Sequence, residues 1–148
     1  MDRQQRIDLI LDHFEHPRRR GPLEPADVIR TSDNPACGDL VTVYVRAGDM
    51  GGPLALSYLG EGCTISQAAA SMTMEMLHGL TLAQIDAASV DLLLAHLGPE
   101  IANARQQCAT LAFNSVKHAV ETLRGRAGRA APAFQEVALR EGFLEGLS

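Results

Sequence analysis

Tryptophan is absent from this 148-residue chain, and aromatic residues make up only 4% of it. The interior must therefore be built from aliphatic side chains, alanine and the five methionines, a composition that suits closely packed helices. No apolar run approaches the roughly 20 residues needed to cross a bilayer, and Met1-Asp2-Arg3-Gln4-Gln5 shows no secretory pattern, so the expected location is cytoplasmic, with no membrane partner. Positive charge is also scarce: 13 Lys and Arg stand against 18 Asp and Glu, a net charge of -5. That balance argues against a nucleic-acid partner held by a broad basic surface. The one basic cluster, Arg18-Arg19-Arg20, reads as a solvated helix end or as a docking patch for an acidic partner. Cysteine is limited to three residues, an odd number without CxxC spacing. In a reducing compartment these remain thiols, available for metal or sulfur chemistry.

At 46% hydrophobic and 21% charged, residues 1–148 fit a single domain able to bury about two-thirds of its unfolded surface. Residues 132–148 form a short C-terminal tail. From Asp2 to His16, Ile7, Ile10, Leu11 and Phe14 recur at the spacing of a helix stripe facing a core, and Pro17 ends the helix. Arg18 to Asp33 is a Pro- and Gly-rich connector in which Val28-Ile29 is the only short strand candidate. Leu40 to Arg46 alternates, with Val41, Val43 and Val45 on one face, and Leu54 to Leu59 alternates again across a glycine-rich turn. The pair reads as an antiparallel hairpin, whose geometry sets the start of the first strand beside the end of the second. Cys37 and Asp39 are thereby expected near Gly60 to Cys63.

Thr64 and Gln67 match a capping box for a helix from Ile65 to His78, with Gly79 as its stop. Thr81 to Gln84 opens a short helix to about Ala88, and Val90 to Leu97 forms another. A long helical pattern runs from Glu100 to Arg124 with Cys108 on its inward face, and Gly125 to Pro132 breaks it. The tail Phe134 to Ser148 is too short to hold a helix alone.

The chemistry-bearing residues lie at the junctions of these elements. Cys37 and Asp39 occupy the turn Asn34-Pro35-Ala36-Cys37-Gly38-Asp39, and Cys63 ends Gly60-Glu61-Gly62-Cys63. Buried cysteines often serve only as small packing residues. A Gly- or Pro-flanked loop, however, leaves side chains free for function, and thiolate with carboxylate is a ligand set that zinc and iron–sulfur clusters accept. One reading is that Cys37, Asp39, Cys63 and Cys108 meet around a single metal centre. Cys63 precedes a helix N-terminus, where the dipole favours its thiolate. His13, His16, His78 and His96 read as structural residues at helix ends. His118 lies about 15 Å along the helix from Cys108, too far to share its metal.

Four segments together resemble the iron–sulfur cluster assembly scaffold family, which includes the U-type scaffold proteins and the N-terminal domain of nitrogen-fixation scaffolds. They are Leu11-Asp12-His13-Phe14-Glu15-His16-Pro17-Arg18, Asn34 to Asp39, Gly60 to Ser66, and Cys108-Ala109-Thr110-Leu111-Ala112. The resemblance implies an α+β fold with a small antiparallel sheet of about three strands, packed on one face by helices. It implies the ligand set Cys37, Asp39, Cys63 and Cys108 at one end. It further implies sulfur delivered as a persulfide by a cysteine desulfurase to Cys108 or Cys63, assembly of a transient [2Fe–2S] cluster with iron, and its transfer to client proteins. On this reading the chain is a scaffold and not an enzyme. Asp39, a harder and more exchangeable ligand than thiolate, is expected to be the release ligand.

A related branch similar to this chain in Gly-Glu-Gly-Cys-x-Ile-Ser binds Zn²⁺ through the same four positions and acts as a sulfurtransferase-like partner of its desulfurase. The gap between Cys63 and Cys108 is the shorter one of the plain scaffold. The plain scaffold branch usually has a Leu-Pro-Pro-Val-Lys chaperone motif and a His before its third cysteine. Here Ala102-Asn103-Ala104-Arg105-Gln106 and Gln107 stand instead, which argues against chaperone-assisted transfer. A third reading, of another class, is a structural zinc or interaction domain.

Overall fold

The computed structural model describes residues 1–130, which run α1 (Arg3–Glu15), β1 (Val28–Asn34), β2 (Asp39–Arg46), β3 (Ala55–Glu61), α2 (Thr64–Leu77), α3 (Leu82–Ala87), α4 (Asp91–Leu97), α5 (Pro99–Ala104) and α6 (Gln106–Ala130). The fold is α+β: one antiparallel sheet in the order β1-β2-β3 with the helices against it. Alternation in β2 decides which face they cover. Val41, Val43 and Val45 are buried with Leu56 and Tyr58 of β3, beneath Ala68, Met72, Phe113 and Val116 of α2 and α6. Each fully buried aliphatic or aromatic side chain contributes about 1.5–3 kcal/mol of transfer free energy. The opposite face carries Thr42, Tyr44 and Arg46, half-buried, and Leu40, exposed.

Register fixes the geometry of one corner. Asn34 pairs with Asp39 across the β1–β2 turn, and Leu40 pairs with Glu61 at the end of β3. The turn carrying Cys37 and the β3–α2 junction carrying Cys63 therefore lie side by side. The expected hairpin is present, and β1 is longer than the Val28-Ile29 candidate because it pairs with β2 along all of Val28–Asn34. Polar residues Arg30, Thr31, Ser32 and Asp33 hide that edge strand from a hydrophobicity pattern.

Other elements depart from sequence expectation for local reasons. In α1 the stripe is rotated: Ile10 is buried, whereas Ile7, Leu11 and Phe14 remain 38%, 44% and 43% exposed. His13 takes the inward position at 1% exposure because both ring nitrogens find partners, Nδ1 with Ser71 Oγ at 2.7 Å and Nε2 with Glu75 Oε1 at 3.3 Å. Ser71 Oγ accepts the Arg18 backbone N–H (2.8 Å), so its own proton is free for Nδ1, leaving the Nε2 proton for Glu75. The arginine triplet is tied to the protein: Arg18 pairs with Asp12 (2.6 Å) and Glu75 (3.6 Å), Arg19 donates to Leu56 O and Arg20 to Gly60 O. His78 is an acceptor, not a C-terminal cation: its Nδ1 takes the Leu56 N–H at 3.1 Å, and burial with the nearby Arg19 charge lowers its pKa.

The helical stretch after Pro99 is two helices, broken at Arg105 (φ -135°, ψ 37°). No Gly or Pro marks that break, so periodicity passes over it. Conversely, α6 continues through Gly125 to Ala130, since an isolated glycine lowers helix stability by only about 1 kcal/mol. Lys117, the chain's single lysine, caps the end of α3 by donating to the carbonyls of Ile85, Asp86 and Ala88 at 3.0, 2.7 and 2.8 Å. The expected tail, residues 132–148, lies outside the described residues.

Candidate metal centre

Three elements meet at this corner. The β1–β2 turn is closed by Cys37 N–H and Gly38 N–H, which donate to Asn34 O at 3.1 and 2.9 Å, with Gly38 in the left-handed region (φ 71°). This presents Cys37 outward and sets Asp39 at the first position of β2. Cys108 sits on the first turn of α6, 2% exposed, facing the sheet. One ligand atom from each of Cys37, Asp39 and Cys108 lies within 4.8 Å of the others. The sulfurs of Cys37 and Cys108, so distant in sequence, share this spot because α6 packs against β1 and β2.

Cys63 occupies the edge of the same corner. Its backbone N–H donates to Asp39 Oδ1 at 3.1 Å, while its thiol lies outside the group of three and accepts the Ser66 N–H at 3.4 Å. The α2 N-cap is accordingly Cys63, not Thr64. Gln67, expected to complete a capping box, instead spans the β3–α2 junction: in the amide orientation that satisfies both groups, its nitrogen donates to Gly60 O and its oxygen accepts the Glu61 N–H, both at 3.2 Å. The cysteine sulfur satisfies one of the free N–H groups at the helix start.

The Asp39 carboxylate and the Cys108 thiol are shifted in opposite directions. Burial alone would raise the Asp39 pKa, but the Cys108 thiol, the Cys63 N–H, the Ser66 hydroxyl and the Cys63 thiol together hold it below the usual carboxylate value. Asp39 Oδ2 is nonetheless buried with no partner in hydrogen-bond geometry, so the neighbouring thiols favour its charge without satisfying that oxygen. Burial, then the Asp39 and Cys37 side chains, push the Cys108 thiol well above its ordinary range. Among the described residues, no ion pair neutralises Asp39. A divalent cation would relieve both costs at once, coordinating the orphaned oxygen and displacing the thiol proton. The donor set of soft sulfur plus one carboxylate suits zinc or iron.

Three contributors here are not evident from residue type. Gly62 (φ 149°) leaves room for the Asp39 carboxylate, Ser66 faces it, and Asn34 Nδ2 donates to Cys108 Sγ at 3.7 Å. All three lie inside the segments singled out by sequence, but nothing in a lone Asn, Gly or Ser distinguishes a ligand's support from a turn residue. A groove of about 510 Å³ lies between β1 and α6, lined in part by Arg30, Asn34, Ala36, Gln107, Asn114 and His118 and by none of Cys37, Asp39, Cys63 and Cys108. His118 is thus on the groove wall and outside the ligand group.

A family model described as the NifU-like N terminal domain matches residues 5–130. The iron-sulfur cluster assembly scaffold protein IscU 1 of Archaeoglobus fulgidus is 32% identical over 113 residues, covering 76% of this chain and 72% of that protein. The zinc-dependent sulfurtransferase SufU of Bacillus subtilis is 30% identical over 135 residues, covering 79% and 90%. In structure, the N-terminal NifU-like protein of Brucella abortus superimposes with a TM-score of 0.66 over 82% of this chain and 99% of that one, at 23% identity.

Proposed function

Because this chain belongs to the NifU-like N-terminal domain family, we propose that it is a scaffold on which sulfur and iron are assembled into a [2Fe–2S] cluster and passed to client proteins. The observation that carries this is the meeting of Cys37, Asp39 and Cys108 within 4.8 Å, with Asp39 Oδ2 buried and unpartnered. The IscU relative, named a cluster assembly scaffold, supports the same reading.

Cys37, Asp39, Cys63 and Cys108 are the proposed ligands. Cys63 would join them by releasing the Ser66 N–H, since its thiol and its backbone N–H both already act on the Asp39 carboxylate. Sulfur would arrive from a cysteine desulfurase. The attacking thiolate of Cys108 or Cys63 bonds to the terminal sulfur of the donor's persulfide, the donor's S–S bond breaks, and the donor cysteine leaves as thiolate, with no external oxidant or reductant required. The Cys63 sulfur is less buried and accepts the Ser66 N–H at the start of α2, whereas Cys108 must first lose a strongly held proton. Persulfide trapping followed by peptide mass mapping identifies the acceptor.

The relation to the SufU relative, named a zinc-dependent sulfurtransferase and matched over 90% of its length, favours a second reading in which the same residues hold Zn²⁺ during sulfur relay. Elemental analysis with an absorption spectrum of anaerobically purified protein separates the two. Iron, sulfide and visible absorbance support the cluster scaffold; stoichiometric zinc with persulfide acceptance supports the second reading. Zinc whose chelation unfolds the chain, with no sulfur accepted, overturns both in favour of a structural site.

A further inference from the structure

We infer that Asn34 is a positioning residue that sets how firmly this site holds metal, through an N–H···S hydrogen bond from its side-chain amide to Cys108. The inference rests on the metal-site reading above and goes beyond its ligands. Each of the two less exposed sulfurs has one N–H donor. For Cys63 the donor is the Ser66 backbone at 3.4 Å; for Cys108 it is Asn34 Nδ2 at 3.7 Å. Only the second is a side chain, and so only the second is specified by residue identity.

Asn34 is built for this position. It is 7% exposed at the last position of β1, directly opposite Asp39 in register, and its carbonyl receives both N–H groups that close the Cys37 turn. One residue therefore touches the placement of three proposed ligands: Cys37 through its backbone, Asp39 through strand pairing and Cys108 through its amide. An N–H···S bond stabilises negative charge on a thiolate and draws its donor electrons down in energy. In a corner where Asp39 and the other sulfurs are all negative or become so on coordination, that neutral donor favours the thiolate at the most buried sulfur.

The test uses the reduced, metal-free full chain, with Zn²⁺ affinity measured by chelator competition and Co²⁺ binding followed by its sulfur-to-metal charge-transfer band. Asn34→Leu, close in volume and without a donor, accompanies Asn34→Ala so that a folding defect in one does not remove the readout; circular dichroism monitors both. Loss of the hydrogen bond weakens Zn²⁺ binding by about 10- to 100-fold, the range for outer-shell partners, and moves the charge-transfer band to lower energy. Parental affinity in a folded variant, or weaker binding with an unmoved band, overturns the inference and leaves a packing role. If the parent itself shows no sulfur-to-cobalt band, the metal-site reading fails with it, a result distinct from unchanged variants.

Discussion

A Cβ placed on Gly62 would lie 2.2 Å from Asp39 Oδ1 and 2.7 Å from Ser66 Oγ. The carboxylate occupies the space that a side chain at position 62 would need, and the backbone at Gly62 (φ 149°) is in a region that side chains rarely adopt. Gly62→Ala is therefore expected to lower stability by about 1–3 kcal/mol and to displace the carboxylate from the corner. Urea denaturation of the apo protein measures the first effect and Co²⁺ titration the second; a fully stable variant with parental metal affinity would show that Asp39 moves aside freely.

Cys63 serves two purposes that substitution can separate. Its sulfur caps α2 at Ser66 N, and serine is the better N-cap. Cys63→Ser is expected to keep or raise apo stability, and Cys63→Ala to fall below it by about 1 kcal/mol. Both variants lose any sulfur chemistry carried by this thiol. Thermal or urea unfolding ranks the pair, and equal stability of the two would remove the capping role.

Asp39 is expected to be the ligand through which cargo leaves, since a carboxylate exchanges more readily than thiolate. Asp39→Ala should retain a reconstituted cluster longer than the parent, followed by decay of visible absorbance under identical anaerobic conditions. Faster decay in the variant would refute the release role.

His13 makes folding sensitive to mild acid. Burial, followed by the Arg18 charge, lowers its folded-state pKa, against the opposing pull of Glu75 and Asp12. Below its unfolded value near 6.5 the unfolded chain binds a proton that the folded chain refuses. The stability is thus fully present above that pH and is lost as pH falls toward the lowered folded value, at up to about 1.4 kcal/mol per pH unit for one proton. His78, also lowered, adds to the same slope. His13→Gln should flatten the dependence of unfolding free energy between pH 7 and 5, and an unchanged slope would assign it elsewhere.

How much of this could be read from residue order depends on how local the cause is. Alternating valines in β2, the turn residues around Cys37 and the glycine at position 79 carry their structural meaning within a few neighbours, and the structure agrees at each. The rotation of α1 does not: its apolar stripe is periodic, yet His13 goes inward because Ser71 and Glu75, far along the chain, satisfy both ring nitrogens. The cap at Cys63 was hidden for a similar reason, since Thr64 is the stronger capping residue by type, and only the path of the chain out of β3 decides which residue stands at the helix start.

The amino-acid order by itself determined the ligand chemistry available to this protein: three thiols and a carboxylate in turn and helix contexts, on a chain that matches the family over residues 5–130. Tertiary structure alone decided which of them share space. Packing of α6 on β1 and β2 brings Cys108 to Cys37 and Asp39, while the α2 start holds the Cys63 thiol on Ser66. The physical reason is that side-chain identity fixes what an atom can bond, whereas its neighbours are set by strand register and helix docking, which bring together residues that the chain keeps far apart.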